Sequence, residues 1–153
     1  MKKLLGWVLL ALIAGSCKST NQNAQVASAR VRYMGNEARN TITVNSMDYG
    51  SNNEEAIYNA KRLTFQNLFF RGVAGSPFND PLIGINEQEE YKKHKDYLSD
   101  FYQNRMESFI LNSREKVEKV KGGQRKANIT LTVNLRALRQ DLEDKQVIKK
   151  FGL

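Results

Sequence analysis

Few side chains in this sequence of 153 residues could do chemistry, and their spacing limits what that chemistry could be. There is one cysteine, Cys17, and one histidine, His94. A lone thiol excludes an intrachain disulfide and any zinc site built on several thiolates. A lone imidazole excludes sites that need two. His94 stands between Lys93 and Lys95 with no second ligand and no base partner readable nearby, so it reads as solvated. Glu87, Glu89 and Glu90 cluster where a helix would begin, and carboxylates there complement the helix dipole. The stretch from Gly72 to Pro77 lacks the lysine and the strand-to-helix order of a phosphate-binding loop. Phe65, Leu68, Phe69, Phe70, Phe78 and Phe101 could line a pocket, but a domain must bury its large side chains somewhere, and they read first as core. No catalytic residue, no metal site and no cofactor is expected, and the chain reads as non-enzymatic.

Basic side chains exceed acidic ones, 24 against 16, for a formal net charge of +8. Several surround Gly122-Gly123. Lys119, Lys121, Arg125 and Lys126 form a candidate anion-binding hairpin, and such a hairpin can grip a polyanion. Nucleic acid is excluded as the partner by the leader described next. Anionic lipid headgroups or cell-wall glycans remain.

The first residues read as a targeting segment. Lys2 and Lys3 precede an uncharged, largely apolar run from Leu4 to Ala14. A membrane-spanning helix needs roughly 20 apolar residues, so this run is the length of a signal-peptide core. Ala14-Gly15-Ser16 and then Cys17 resemble a bacterial lipobox, with alanine where leucine is commonest. The thiol can accept a diacylglyceryl group as a thioether, and small residues before it let the chain enter the peptidase. On this reading residues 1–16 are a signal peptide, Cys17 is the lipidated N-terminus, and polar residues up to Ala27 are a flexible tether. Two or three acyl chains would hold the domain stably at a bilayer. No acidic residue closely follows Cys17, which favours the periplasmic face of the outer membrane.

A single domain is expected over residues 28–153. Ala29, Val31 and Tyr33 alternate with polar neighbours as a short strand, and Asn40 to Met47 alternates again. Ser51 and Glu54 have the spacing of a capping box. Ala56, Ile57, Ala60, Leu63, Thr64 and Leu68 then recur at helical spacing until Arg71-Gly72, where glycine can end a helix in the left-handed conformation. The connection from Gly72 to Asn86 holds both prolines, Pro77 and Pro81, and enough apolar residues to pack on the body. A second helix is expected from Glu87 to Phe109. Val117 to Lys121 and Lys126 to Leu135 read as a β-hairpin about Gly122-Gly123, and Leu135, Leu138 and Leu142 carry a last helix to about Lys145. The order β-β-α-α-β-β-α, with strands apolar on one side only, predicts a two-layer α+β domain. Its mainly antiparallel sheet would have helices on one face.

The stretch SMDYGSNNEEAIYNAKRLTFQNLFFRGVAGSP, the second helix, the strand pair and the closing LRQDLEDKQVIKKFG resemble a family of small Bacteroidetes-type envelope lipoproteins. Their shape is similar to the N-terminal domain of the flagellar ring protein FlgT. The resemblance spans about residues 40 to 153 and implies an α+β envelope domain without a characterised enzyme activity. A flagellar role does not carry over to a single domain on a lipid tether.

The remaining anomaly is the polar side of the strands. Thr41, Thr43, Asn45, Asn128, Thr130, Thr132 and Asn134 carry no charge in a chain that is 26% charged. Neutral β-branched residues defend a sheet poorly against association. This face is therefore a candidate interaction surface for an envelope protein or a second copy. Docking through it would be insensitive to salt, whereas anion gripping by the hairpin would weaken steeply with ionic strength.

Overall fold

The computed structural model describes residues 29–150. A four-stranded antiparallel sheet is built from β1 (Val31–Gly35), β2 (Thr41–Gly50), β3 (Ile110–Lys119) and β4 (Arg125–Asn134) in the spatial order β1-β2-β4-β3. Two hairpins thus meet along their second strands. The central pair is in unbroken register from Thr41 opposite Asn134 to Gly50 opposite Arg125. Ile42 and Val44 of β2, with Ala127, Ile129, Leu131 and Val133 of β4, are buried beneath α1 (Asn53–Phe70). Side chains two apart share a face, so the clean alternation of β4 dictates this packing. Ala56 and Ala60 are fully buried and let the helix approach closely. Ser46 occupies a buried position on the same face because its hydroxyl donates to the Ala60 carbonyl at 2.8 Å. The fold is α+β, as the pattern of strands and helices predicts.

The start of α1 differs by one residue from the predicted capping box. Asn52, not Ser51, is the cap: its side-chain oxygen accepts the Glu55 N–H at 2.9 Å. Glu55, not Glu54, reaches back, accepting from the Ser51 N–H at 2.7 Å and from the Ser51 hydroxyl. Those hydrogen bonds lower the pKa of Glu55. The helix ends where expected. Gly72 has φ +73°, and its N–H and that of Arg71 both reach the Asn67 carbonyl, at 2.7 and 2.9 Å. The following segment folds back over this end. The Leu82 and Ile83 N–H groups donate to the Leu68 and Phe69 carbonyls, each at 2.9 Å, which satisfies acceptors the last turn leaves open.

The second helical region is not the single helix expected over 87–109. It comprises α2 (Glu87–Lys93), α3 (Lys95–Asp100), a π-helical turn (Phe101–Arg105) and a 3₁₀ turn (Met106–Phe109). Successive residues of a regular α-helix point about 100° apart, yet Phe101 and Tyr102 are both buried. The wider π turn turns both toward α1, and rings on α1 hold them there: Phe101 lies 5.2 Å from Phe65 and 5.0 Å from Phe69 between centroids.

β3 starts at Ile110, well before the expected Val117. It is an edge strand with polar residues on both faces, so alternation cannot reveal it. On its helix side, Glu115 meets Lys61 of α1 at 3.0 Å, which lets a carboxylate stand where an apolar residue would be sought. The last helix, α4 (Leu135–Asp144), packs Leu135, Leu138 and Leu142 inward. Asp141 ties it to α3 and to the π turn, accepting from the Tyr97 hydroxyl at 2.8 Å and from Arg105 Nη1 at 2.8 Å. Burial, and then the Asp141 carboxylate, push the Tyr97 phenol's pKa well up, so this contact keeps its proton.

Candidate functional site

The polar side of the sheet is the face turned away from α1. Strand register shows what lies beside the neutral stripe. One row runs Arg32, Asn45, Thr130, Arg114 across β1, β2, β4 and β3. Another places Met47, Asn128 and Lys116 in line, and a third Tyr49, Lys126 and Glu118. Asn45 sits centrally, and its amide donates to Asn128 Oδ1 at 2.6 Å, to the Ile129 carbonyl at 3.2 Å and to Thr130 Oγ1 at 3.2 Å. Arg32, Arg114, Lys116 and Asn128 are exposed. Exposed apolar side chains, Met34 on β1 and Leu111 at the start of β3, mark the two edges.

Three residues expected on an accessible face are not accessible. Thr43 and Thr132 share a buried hydroxyl–hydroxyl hydrogen bond at 2.9 Å, and Thr132 is only 2% exposed. Thr41 is buried too, and its hydroxyl donates to the Ala38 carbonyl at 2.7 Å and locks the β1–β2 connection. Asn134 is half-buried and occupied as the cap of α4, accepting the Ala137 N–H at 3.1 Å. Asn128 and Thr130 remain accessible, together with Asn45. Arg32, Arg114 and Lys116 come to this stripe only through the pairing of edge strands with central ones, which no local pattern in the sequence gives. The face is therefore bordered by positive charge rather than neutral.

The basic hairpin does not form one cluster. Lys119 and Arg125 face each other across the ladder on the helix side, whereas Lys126 lies on the opposite face beside Glu118. Lys121 is in the turn itself, and Arg125 lies against the start of α1 near Ser51 and Glu54. Residues an odd number of positions apart on a strand cannot share a face.

Other candidates settle as follows. His94 is half-buried at the break between α2 and α3 rather than solvated, with Nε2 3.5 Å from Glu90 Oε2. Burial, and then Lys93, lower its pKa while Glu90 opposes them, so the imidazole is neutral at pH 7. Of the acidic cluster, Glu89 closes a cap with Asn86 and Glu87 pairs with Arg71. Phe65, Leu68, Phe69, Phe70 and Phe101 are buried core and Phe78 packs against it. Among the described residues no group of three or more His, Cys, Asp or Glu is placed to hold a metal ion, and no helix is long and apolar enough to cross a membrane. Cys17, the leader and the tether lie outside the described residues.

Comparison with family models, with characterised proteins and with solved structures finds no match.

Proposed function

We propose that this chain is a non-enzymatic lipoprotein, anchored by acylated Cys17 at the periplasmic face of the outer membrane, whose domain docks an acidic protein partner in an envelope assembly. The observation that carries the docking reading is the open sheet face, where accessible Asn45, Asn128 and Thr130 lie between Arg32 on one edge and Arg114 and Lys116 on the other. Amides and hydroxyls on rigid central strands offer directional hydrogen bonds, and the bordering cations favour an acidic surface. The strands carry Arg32, Arg114, Lys116 and Lys126 on this face against Glu118 alone, so a second copy would set like charges together. The anchoring reading is supported by the leader, its small residues and the single thiol.

Arg114→Glu with Lys116→Glu should leave the thermal melt within a few degrees of wild type, because both side chains are exposed on an edge strand. A photo-crosslinker at Asn128 should lose its protein adduct in intact cells when that pair is reversed. The wild-type adduct should fade as ionic strength rises. Persistence of the adduct in the reversed variant would sink the acidic-partner reading, and an adduct to the same chain would replace it with self-association.

Cys17→Ser should abolish acylation and release the chain from the membrane fraction. Mass spectrometry of the mature N-terminus decides this. A water-soluble wild-type chain with a bare thiol at Cys17 would overturn the anchor.

A further inference from the structure

We propose that the cleft between the C-terminal half of α1 and α2 binds a small organic anion, a carboxylate or phosphate ester that carries an apolar substituent. The cleft has a volume of about 780 Å³, within the range of about 300–1,000 Å³ usual for small-molecule sites. Arg62, Gln66 and Phe70 recur at four-residue spacing along its α1 wall, Arg71 closes the end, and Ile85 and Tyr91 stand opposite.

The donors in this wall point to the ligand class. Nε and Nη1 of Arg71 and Nε of Arg62 are buried and make no hydrogen bond. Behind them the Tyr102 hydroxyl is also buried and unpaired, on a side chain only 5% exposed, and the Arg62 guanidinium lies 5.1 Å above its ring. Arg62, Glu87, Tyr91 and Arg71 all act electrostatically on that hydroxyl, so these groups form one neighbourhood. More than nine in ten buried polar groups in proteins are paired, and unpaired guanidinium donors are costly, so two guanidinium groups short of acceptors at the wall of one cleft favour a ligand of negative charge.

Charge balance agrees. Glu87 is the one acid lining the cleft, and it meets Arg71 only through Nη2, so the other two nitrogens have no acceptor. Among the described residues no carboxylate pairs with Arg62, and Lys92 adds a third cation at the mouth. The apolar substituent would lie on Ile85, which is 86% exposed at the rim, and on the partly exposed ring of Tyr91. Planar guanidinium groups suit both carboxylate and phosphate oxygens. A free fatty acid and a lipid phosphate would both present this chemistry.

Titration calorimetry of the full chain with hexanoate, hexyl phosphate, inorganic phosphate and hexanol tests the proposal. Hexanoate or hexyl phosphate should bind, with the tighter of the two naming the headgroup, and hexanol should not. Inorganic phosphate should bind about tenfold more weakly than the better hexyl compound. Arg62→Gln and Arg71→Gln should each weaken binding by about tenfold. Glu87→Gln should tighten it by about threefold, because it removes the competing carboxylate from Arg71. A purely structural Arg71–Glu87 pair would lose stability in that variant without any gain in affinity. Failure of both hexyl compounds to bind, equal binding of inorganic phosphate, or unchanged affinity in both arginine variants would overturn the proposal.

Discussion

Gly72→Ala is expected to lower the domain's stability by about 2–5 kcal/mol, the sum of a strained backbone and an overpacked contact. Gly72 has φ +73°, which an L-residue adopts only at a cost. A Cβ there would lie 1.8 Å from the Asn79 carbonyl oxygen and 2.3 Å from its carbon. Both atoms are backbone, so no rotamer change relieves the clash. The segment 73–86 would have to lift from the end of α1, and with it the N–H groups that satisfy the Leu68 and Phe69 carbonyls. Gly75 supplies the control. Its φ is +77°, but open space surrounds a Cβ there, so Gly75→Ala should cost only the backbone strain, about 1–2 kcal/mol. Urea denaturation of the two variants separates the contributions. Equal midpoints would show that the loop yields freely at Asn79.

Phe101→Ala is expected to cost about 3–5 kcal/mol, the range for deleting a buried ring. Phe101 is fully buried and lies within 5.0–6.0 Å, centroid to centroid, of Phe69, Phe65, Phe109, Tyr102 and Tyr97. These rings belong to α1, α3, the π turn and the 3₁₀ turn, so one deletion opens a cavity where all four meet. Arg105 would lose part of its support too, since its guanidinium stacks over Tyr97 at 4.9 Å while holding Asp141 of α4. Phe101→Leu should recover much of the loss because most of the volume returns. Denaturant midpoints with an unchanged m-value would measure the effect. A loss below about 1 kcal/mol would show that the π region contributes little to the packed core.

Local pattern determined much of this domain. The alternation of Ala127, Ile129, Leu131 and Val133 placed β4 and the side it buries, because each side chain's face follows from parity alone. Leu135, Leu138 and Leu142 marked α4, and Gly72 marked the end of α1, because period and positive φ are properties of a few neighbouring residues. The class followed from strands apolar on one side only. Tertiary structure decided the rest, and the reason is that each remaining feature depends on a partner distant in sequence. β3 begins at Ile110 because β4 offers it hydrogen bonds; its own residues show no alternation. Phe101 and Tyr102 turn inward together only because rings of α1 receive them. The buried hydroxyl of Thr132 is satisfied by Thr43 on the neighbouring strand, and Arg32 and Arg114 reach the accessible stripe only through register across four strands. Arg62 and Arg71 are nine positions apart on one segment, and only the return of α2 against α1 encloses them in a cleft. Periodicity tells a side chain which way to point, and long-range packing decides what it meets there.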